Sequence, residues 1–186
     1  MRALLVTLFA LTAAACSEPP PPVMATIPPF TLTAPSGETF TSDALVGQPY
    51  VASFFFTSCG TICPRVMGGV RGTLAEAKRR GVAIRAISIT VDPVTDTPAH
   101  LISYAAKEGI ADQRWTLLTG TEATLKRVVV DGFMAYMGER EPMEGGLFEI
   151  GHEGRLMLVD SLGRLRGLYE PDQDGQAQLV DAASRI

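Results

Sequence analysis

Cysteine and histidine are scarce in this sequence, which has three cysteines and two histidines in 186 residues. Three cysteines are too few for the disulfide framework on which small secreted domains depend. Basic residues are also in deficit, because 16 of them stand against 20 acidic residues for a formal net charge of −4. An acidic chain of this kind lacks the electrostatic character of a nucleic-acid-binding protein, so we expect no nucleic-acid partner.

The N-terminus has an apolar run that is too short to cross a membrane as a helix. Arg2 precedes the apolar residues 3–11, and three alanines at 13–15 offer a cleavage point. This order of basic, apolar and small residues is typical of a secretory signal. We therefore predict that residues 1–15 are a signal peptide and that the protein is exported to the periplasmic side of a bacterial membrane.

Cys16 follows the three alanines directly, at the position where bacterial lipoproteins are cleaved and lipidated. Ala13 stands three residues before it, where leucine is commoner, so ordinary cleavage that leaves an unmodified cysteine is the alternative. Residues 17–29 include six prolines and are interpreted as part of an extended spacer. We predict lipidation of Cys16, and a spacer over residues 16–29 that tethers the protein to the membrane by its N-terminus.

Residues 30–186 are predicted to form one monomeric domain in which strands and helices alternate. The apolar run 50–56 predicts a central strand covered on both faces, and the apolar spacing after it predicts a helix over 62–80. Other predicted strands and hairpins are at 30–41, 82–91, 115–118 and 155–169, and other predicted helices at 97–107, 122–130 and 173–184. This order predicts an α/β fold with a central mixed sheet flanked by helices and an N-terminal hairpin extension.

The segment 133–151 shows little periodicity and contains four glycines, so we interpret it as a long loop. Loops of that length inside a compact domain are usually functional or mobile.

Cys59 lies in the loop after the predicted central strand and Cys63 at the start of the helix that follows, which is the thioredoxin arrangement. Their Cys-x-x-x-Cys spacing places both sulfurs at the first helical turn, where they can converge on a metal ion at about 2.3 Å. The helix N-terminus also favours thiolates. Two thiolates prefer Cu(I) or Zn, and a third ligand must come from elsewhere.

The domain has two histidines that can supply this ligand. His100 belongs to a predicted amphipathic helix and is interpreted as a surface or packing residue. His152 lies between glycines just before a predicted strand, which indicates a flexible, exposed position. In a thioredoxin fold the loop before this strand faces the cysteine loop, although the local sequence fits a solvated loop histidine equally well.

Four ordered stretches resemble the Sco/SenC family, whose members are copper-binding proteins of thioredoxin fold that assemble cytochrome c oxidase. The first is Phe-Phe-Thr-Ser-Cys-x-x-x-Cys-Pro at 55–64, and the second is Thr-Val-Asp-Pro at 90–93 with Asp-Thr-Pro at 96–98. The third is Trp-Thr-Leu-Leu-Thr-Gly at 115–120. The fourth is His152 followed by Leu-Val-Asp at 158–160 and Arg-Gly-Leu-Tyr at 166–169. Together they span nearly the whole domain.

The resemblance implies that Cys59, Cys63 and His152 bind one copper ion, as Cu(I) or Cu(II). It further implies delivery of copper to the dinuclear site of the cytochrome c oxidase copper subunit, or reduction of that site's cysteines, and exchange with other periplasmic copper carriers. Two further groups have open roles. Met134, Met137 and Met143 offer thioether contacts to a passing Cu(I) or simply pack, and Asp92 and Asp96 support the ligands or form turns and caps.

The residues also leave other functions open. A thiol–disulfide oxidoreductase would use Cys59 and Cys63 alone and would not need His152. A peroxiredoxin-type peroxidase is disfavoured because Thr57 and Arg65 are poorly placed for that chemistry. A non-catalytic binding module has no use for the cysteine pair. We therefore favour a copper transfer protein over a turnover enzyme.

Overall fold

The structure is a computed structural model, and it describes residues 18–186. The predicted signal peptide and Cys16 lie outside these residues. None of the helices within 18–186 combines the length and the apolar character that a membrane span requires.

The described residues form ten strands and four α-helices. In chain order these are β1 (Ala25–Thr26), β2 (Thr31–Thr33), β3 (Thr39–Thr41), β4 (Tyr50–Phe55), α1 (Cys63–Arg80), β5 (Arg85–Thr90), α2 (Pro98–Lys107), β6 (Trp115–Leu118), α3 (Glu122–Lys126), β7 (Met137–Pro142), β8 (Phe148–His152), β9 (Leu156–Val159), β10 (Arg164–Tyr169) and α4 (Gln173–Ala183). Short 3₁₀ turns occupy Ser42–Leu45 and Glu144–Gly146.

The main sheet has six strands in the order β1-β10-β9-β4-β5-β6. Strands β4, β5 and β6 are parallel, whereas β9 and β10 form an antiparallel hairpin at the other side of β4. The predicted mixed sheet with flanking helices is therefore confirmed, as a thioredoxin-like fold. The predicted extension is also present, since β2 pairs with β3.

Both faces of the central strand β4 are covered, as its unbroken apolar sequence predicts. Successive residues of a strand point to opposite faces. Phe55 stacks on Tyr104 of α2 with ring centroids 5.6 Å apart. Phe54 packs edge-on against Phe133, also at 5.6 Å, and Phe133 contacts Phe30 before β2. Because β4 lies in the centre of the sheet, the loop that follows it is held on a rigid base.

The segment 133–151 is not the long loop that the lack of periodicity predicted. Strands β7 and β8 pair in an antiparallel hairpin that forms its own two-stranded sheet. Most of β7 is exposed and charged, with Glu139, Arg140 and Glu141 in succession. A strand that buries neither face shows no apolar alternation, so its pairing leaves no signal in the sequence.

The predicted spacer also needs correction near its end. Ala25–Thr26 pair with Leu165 and Arg164 at the edge of the main sheet, and Ile27 is buried. The packed part of the chain therefore begins before residue 30. Main-chain pairing at a sheet edge requires no pattern of side chains, so the proline-rich sequence around β1 does not indicate a strand there. The helix predicted at 122–130 is present, but only Glu122–Lys126 is α-helical, and the chain continues from Arg127 to Gly132 as a wider π-helical turn.

Candidate metal centre

The cysteine loop connects β4 to α1 and brings the two thiols together. Cys63 is the first residue of α1 and is buried, whereas Cys59 is partly exposed in the loop. Ile62 provides no side-chain cap for this helix. The Cys59 sulfur takes that role, since the Cys63 amide donates to it at 3.4 Å. One free amide of the helix N-terminus thus faces the Cys59 sulfur, which favours the ionised form of that thiol.

His152 is the last residue of β8 and faces the cysteine loop. Its Nε2 lies 3.1 Å from the Cys63 sulfur, and its Nδ1 lies 3.0 Å from the Glu153 carbonyl oxygen. Because a carbonyl can only accept, Nδ1 carries the proton and Nε2 presents its lone pair towards Cys63. The predicted juxtaposition with the cysteines is therefore present.

The exposed, flexible position predicted for His152 is wrong. The residue is only 7% exposed. Phe56 packs edge-on against the imidazole with ring centroids 5.8 Å apart, and Phe148 stacks on Phe56 at 5.7 Å. The reason is the hairpin, in which His152 pairs with Met137. An imidazole held between paired strands and aromatic rings loses little conformational entropy when it coordinates a metal ion.

The three donor atoms of Cys59, Cys63 and His152 lie within 4.8 Å of one another. Metal–sulfur bonds of about 2.3 Å and metal–nitrogen bonds of about 2.0 Å fit this spacing after small side-chain rotations. Two sulfurs and one imidazole nitrogen form a soft donor set, suited to Cu(I) or Zn. The Cys63 thiol proton has both His152 Nε2 and the Cys59 sulfur as neighbouring acceptors, and a metal ion would take the place of that proton.

The two thiols differ in acidity. Burial opposes ionisation of Cys59, but hydrogen bonds from Cys63 and Thr61 outweigh it and lower the pKa of the Cys59 thiol. Burial, reinforced by the neighbouring Cys59, raises the pKa of the Cys63 thiol. Burial also lowers the pKa of His152, so the imidazole is neutral at pH 7, the form that binds metal. The site therefore has one accessible, more acidic thiol in front of two buried groups whose surroundings oppose a charge.

Alkylation by iodoacetamide is expected to modify Cys59 at least about tenfold faster than Cys63 in the reduced, metal-free protein at pH 7. Cys59 is accessible and ionises more readily, whereas Cys63 is buried and protonated. Because the pKa of the Cys59 thiol is lowered, its alkylation rate should be maintained as the pH falls to the usual thiol pKa and should decline only at lower pH. A time course of peptide masses measures both rates, and equal rates would contradict the asymmetry.

The buried carboxyl of Asp96 is hydrogen-bonded to the start of the cysteine loop. Asp96 accepts hydrogen bonds from the Thr57 amide at 3.1 Å and from the hydroxyls of Thr57 and Thr90. Burial raises the pKa of this carboxyl despite those bonds. His100 is exposed, as predicted for a surface residue, yet its Nε2 lies 3.0 Å from the Thr57 hydroxyl. Neither Asp96 nor His100 belongs to the three-donor cluster.

The three methionines do not share one environment. Met137 packs against the core, whereas Met134 is exposed. Met143 lines a groove of about 430 Å³ that also includes Cys59 and Phe148. Packing therefore accounts for one of the three, and only Met143 lines this groove beside the accessible thiol.

Comparison with known proteins finds a family profile over nearly the whole chain and relatives over about three quarters of it. A sequence profile described as SCO1/SenC matches residues 19–186. The SCO1 protein homolog of Bacillus subtilis is 28% identical over 140 residues, which are 75% of this chain and 70% of that protein. An SCO2-like protein of Rickettsia prowazekii is 31% identical over 136 residues, 73% of this chain and 65% of that protein. The chain thus spans about two thirds of the length of these relatives.

Solved structures share the fold. A SCO1/SenC family lipoprotein of Bacillus anthracis superposes with a TM-score of 0.76 at 24% identity, over 87% of this chain and 95% of that one. Copper-bound ScoI of Bradyrhizobium japonicum gives 0.68 at 25% identity, over 87% and 99%. BsSco, described as having a disulfide switch and as a member of the Sco family of cytochrome c oxidase assembly proteins, gives 0.75 at 25% identity, over 91% and 99%.

Proposed function

This chain belongs to the SCO1/SenC family, and from that premise we propose that it carries one copper ion on Cys59, Cys63 and His152. The observation that supports the proposal is the convergence of two sulfurs and one imidazole nitrogen within 4.8 Å. A relative of the same fold, ScoI of Bradyrhizobium japonicum, has been solved with copper bound. The cargo is Cu(I) or Cu(II), and its destination is the dinuclear copper site of cytochrome c oxidase.

The unequal exposure of the ligands determines how the cargo leaves. Cys63 and His152 are buried, whereas Cys59 is partly exposed and lines the groove with Met143 and Phe148. A partner's ligand reaches the ion from the Cys59 side, and Cys59 is the ligand that it displaces first. Three protein ligands leave coordination positions open for this exchange.

We also propose where the domain works and with which partners. It is held on the periplasmic side of a bacterial membrane by a lipid on Cys16, as a monomer, and exchanges copper with the oxidase copper subunit and other periplasmic carriers. The small-residue run before Cys16 supports this, and a structural relative is described as a lipoprotein.

His152→Ala is expected to lower the copper affinity about a hundredfold. Apparent binding free energies of four-ligand zinc sites are about 10–16 kcal/mol, which is about 3 kcal/mol per ligand, and that converts to about two orders of magnitude. Copper content after dialysis against a competing chelator, together with the visible spectrum of the Cu(II) form, measures the loss.

His100→Ala is the matched control, because the chain has two histidines and His100 lies outside the donor cluster. Its affinity and spectrum should equal those of the wild type. Unchanged stoichiometry and spectrum in His152→Ala would contradict the three-ligand site.

A second function has support from the acidity of the thiols. The accessible Cys59 has a lowered pKa and the buried Cys63 a raised one, the asymmetry of a thiol–disulfide reductase. The Cys59 thiolate attacks a partner's disulfide and forms a mixed disulfide while one partner thiolate leaves. Cys63 then loses its proton and attacks Cys59, which releases the second partner thiolate. The dithiol is oxidised and the partner's disulfide is reduced by the same two electrons.

A further inference from the structure

The hairpin β7–β8 carries His152 but is not part of the main sheet. Ile150 in the middle of β8 is buried in the core, and the outer half of the hairpin is largely exposed. The position of the imidazole therefore depends on what holds this hairpin against the cysteine loop.

Arg140 connects the hairpin to the loop after β5. Its Nη1 lies 3.4 Å from an oxygen of Asp92, and the two side chains are 41% and 2% exposed. That oxygen also lies 3.4 Å from the Thr95 amide. The other Asp92 oxygen is buried and has no hydrogen-bond partner among residues 18–186. Arg140 is thus the positive charge that balances a buried, sparsely bonded carboxylate.

The same guanidinium also contacts the opposite strand. Its Cζ lies 3.5 Å from the ring centroid of Phe148, well within the range of a cation–π interaction. Arg140 pairs with Ile150 in the ladder, so Phe148 is its diagonal neighbour across the strands. One side chain therefore joins Asp92 outside the hairpin to an aromatic ring within it.

From Phe148 the contacts lead to the ligand. Phe148 stacks on Phe56, and Phe56 packs edge-on against His152. Phe56 follows β4 and belongs to the rigid base of the cysteine loop. A continuous series of contacts thus leads from Arg140 through Phe148 and Phe56 to the imidazole beside Cys63.

We propose that Arg140 is a positioning residue that closes the β7–β8 hairpin onto the cysteine loop and so fixes the His152 imidazole. Its consequence for copper rests on the proposed function, whereas its consequence for the hairpin does not. Removing Arg140 leaves the Asp92 carboxylate buried and unpaired, which is costly. Opening the hairpin relieves that cost by admitting water.

Arg140→Met tests the proposal, because methionine keeps an unbranched apolar chain and loses the charge. In the metal-free protein, hydrogen exchange of the amides in 137–152 should become about tenfold faster, with the thermal midpoint of the domain little changed. With Cu(II) bound, the affinity should fall about tenfold, as when an outer-shell partner of a metal ligand is lost. Nitrogen coupling in the electron paramagnetic resonance spectrum should weaken as the imidazole leaves the ion.

Lys126→Met is the matched control. Lys126 also pairs with a residue of β7, Glu139, at 3.7 Å, but both side chains are mostly exposed. Such pairs contribute little, so exchange, affinity and spectrum should equal those of the wild type. Arg140→Lys keeps the charge without the planar stack, and should give intermediate exchange rates.

Two outcomes would overturn the proposal. One is wild-type exchange of 137–152 in Arg140→Met, and the other is an equal increase in Lys126→Met. If Arg140→Met does not fold, Asp92→Asn and Arg140→Lys decide, and wild-type exchange in both overturns it. A third combination separates the two proposals. If the amides of 137–152 exchange faster in Arg140→Met but the wild type binds no copper, the proposed function is refuted and the positioning role of Arg140 remains supported.

Discussion

Cys63→Ser is expected to lower the copper affinity at least about a hundredfold. One lost ligand accounts for about 3 kcal/mol by the comparison with zinc sites, which corresponds to about two orders of magnitude. A serine hydroxyl does not ionise at neutral pH and is a poor ligand for a soft ion, so it cannot take over the role of the thiolate.

The same variant separates the two proposed functions. It keeps the accessible Cys59 but lacks the thiol that would resolve a mixed disulfide. If the protein reduces partners, Cys63→Ser should accumulate a covalent adduct with a peptide that carries a disulfide, detected by intact mass. Cys59→Ser is the control and should form none. Copper affinity within tenfold of the wild type in Cys63→Ser would contradict the copper site, whatever the adduct shows.

The part of the site that the sequence predicts well is the part fixed by local rules. Cys59 and Cys63 follow an apolar run that can only be a central strand, and their spacing places them at the start of a helix. Local sequence therefore determines their proximity. His152 is 89 residues further along the chain, so its approach depends on tertiary structure, and only the family resemblance joined it to the cysteines.

The environment of His152 was beyond prediction for a related reason. Glycines on either side indicate flexibility, but burial comes from β7, which is charged and shows no apolar alternation. The pairing of such a strand is decided by distant contacts, including that of Arg140 with Asp92. Nothing in the residues around Arg140 indicates a buried carboxylate 48 positions earlier. Sequence periodicity reports burial, so it does not detect elements that stay mostly in solvent.

Asp160→Ala is expected to destabilise the domain by about 3–5 kcal/mol, as when a buried ion pair loses one partner. Asp160 is 2% exposed at the turn between β9 and β10. It accepts hydrogen bonds from the amides of Leu162 and Arg164, both at 2.9 Å, and from the guanidiniums of Arg164 and Arg166 at 2.8 and 2.7 Å. Arg166 in turn donates to the Pro21 carbonyl oxygen. The turn, the sheet edge and the N-terminal segment all depend on this one carboxylate.

Thermal unfolding at neutral pH measures the effect. For a domain of this size each kcal/mol lowers the midpoint by about 2–4 °C, so we expect a loss of about 10 °C. Glu170→Ala is the control, because Glu170 binds Arg65 at 2.8 Å with both side chains more than half exposed. An exposed pair contributes about 0–1 kcal/mol, and the midpoint should move by about 2 °C at most.

The pH dependence of this difference tests its electrostatic origin. Burial alone would raise the pKa of Asp160, but the bonds from Arg164 and Arg166 outweigh it and lower the pKa. A carboxyl with a lowered pKa stabilises the fold above its unfolded pKa, and that contribution is lost as the pH falls through the folded value. The gap between wild type and Asp160→Ala should therefore narrow in acid. A gap of constant size would mean that the variant loses packing rather than charge, since the packing of the turn does not titrate.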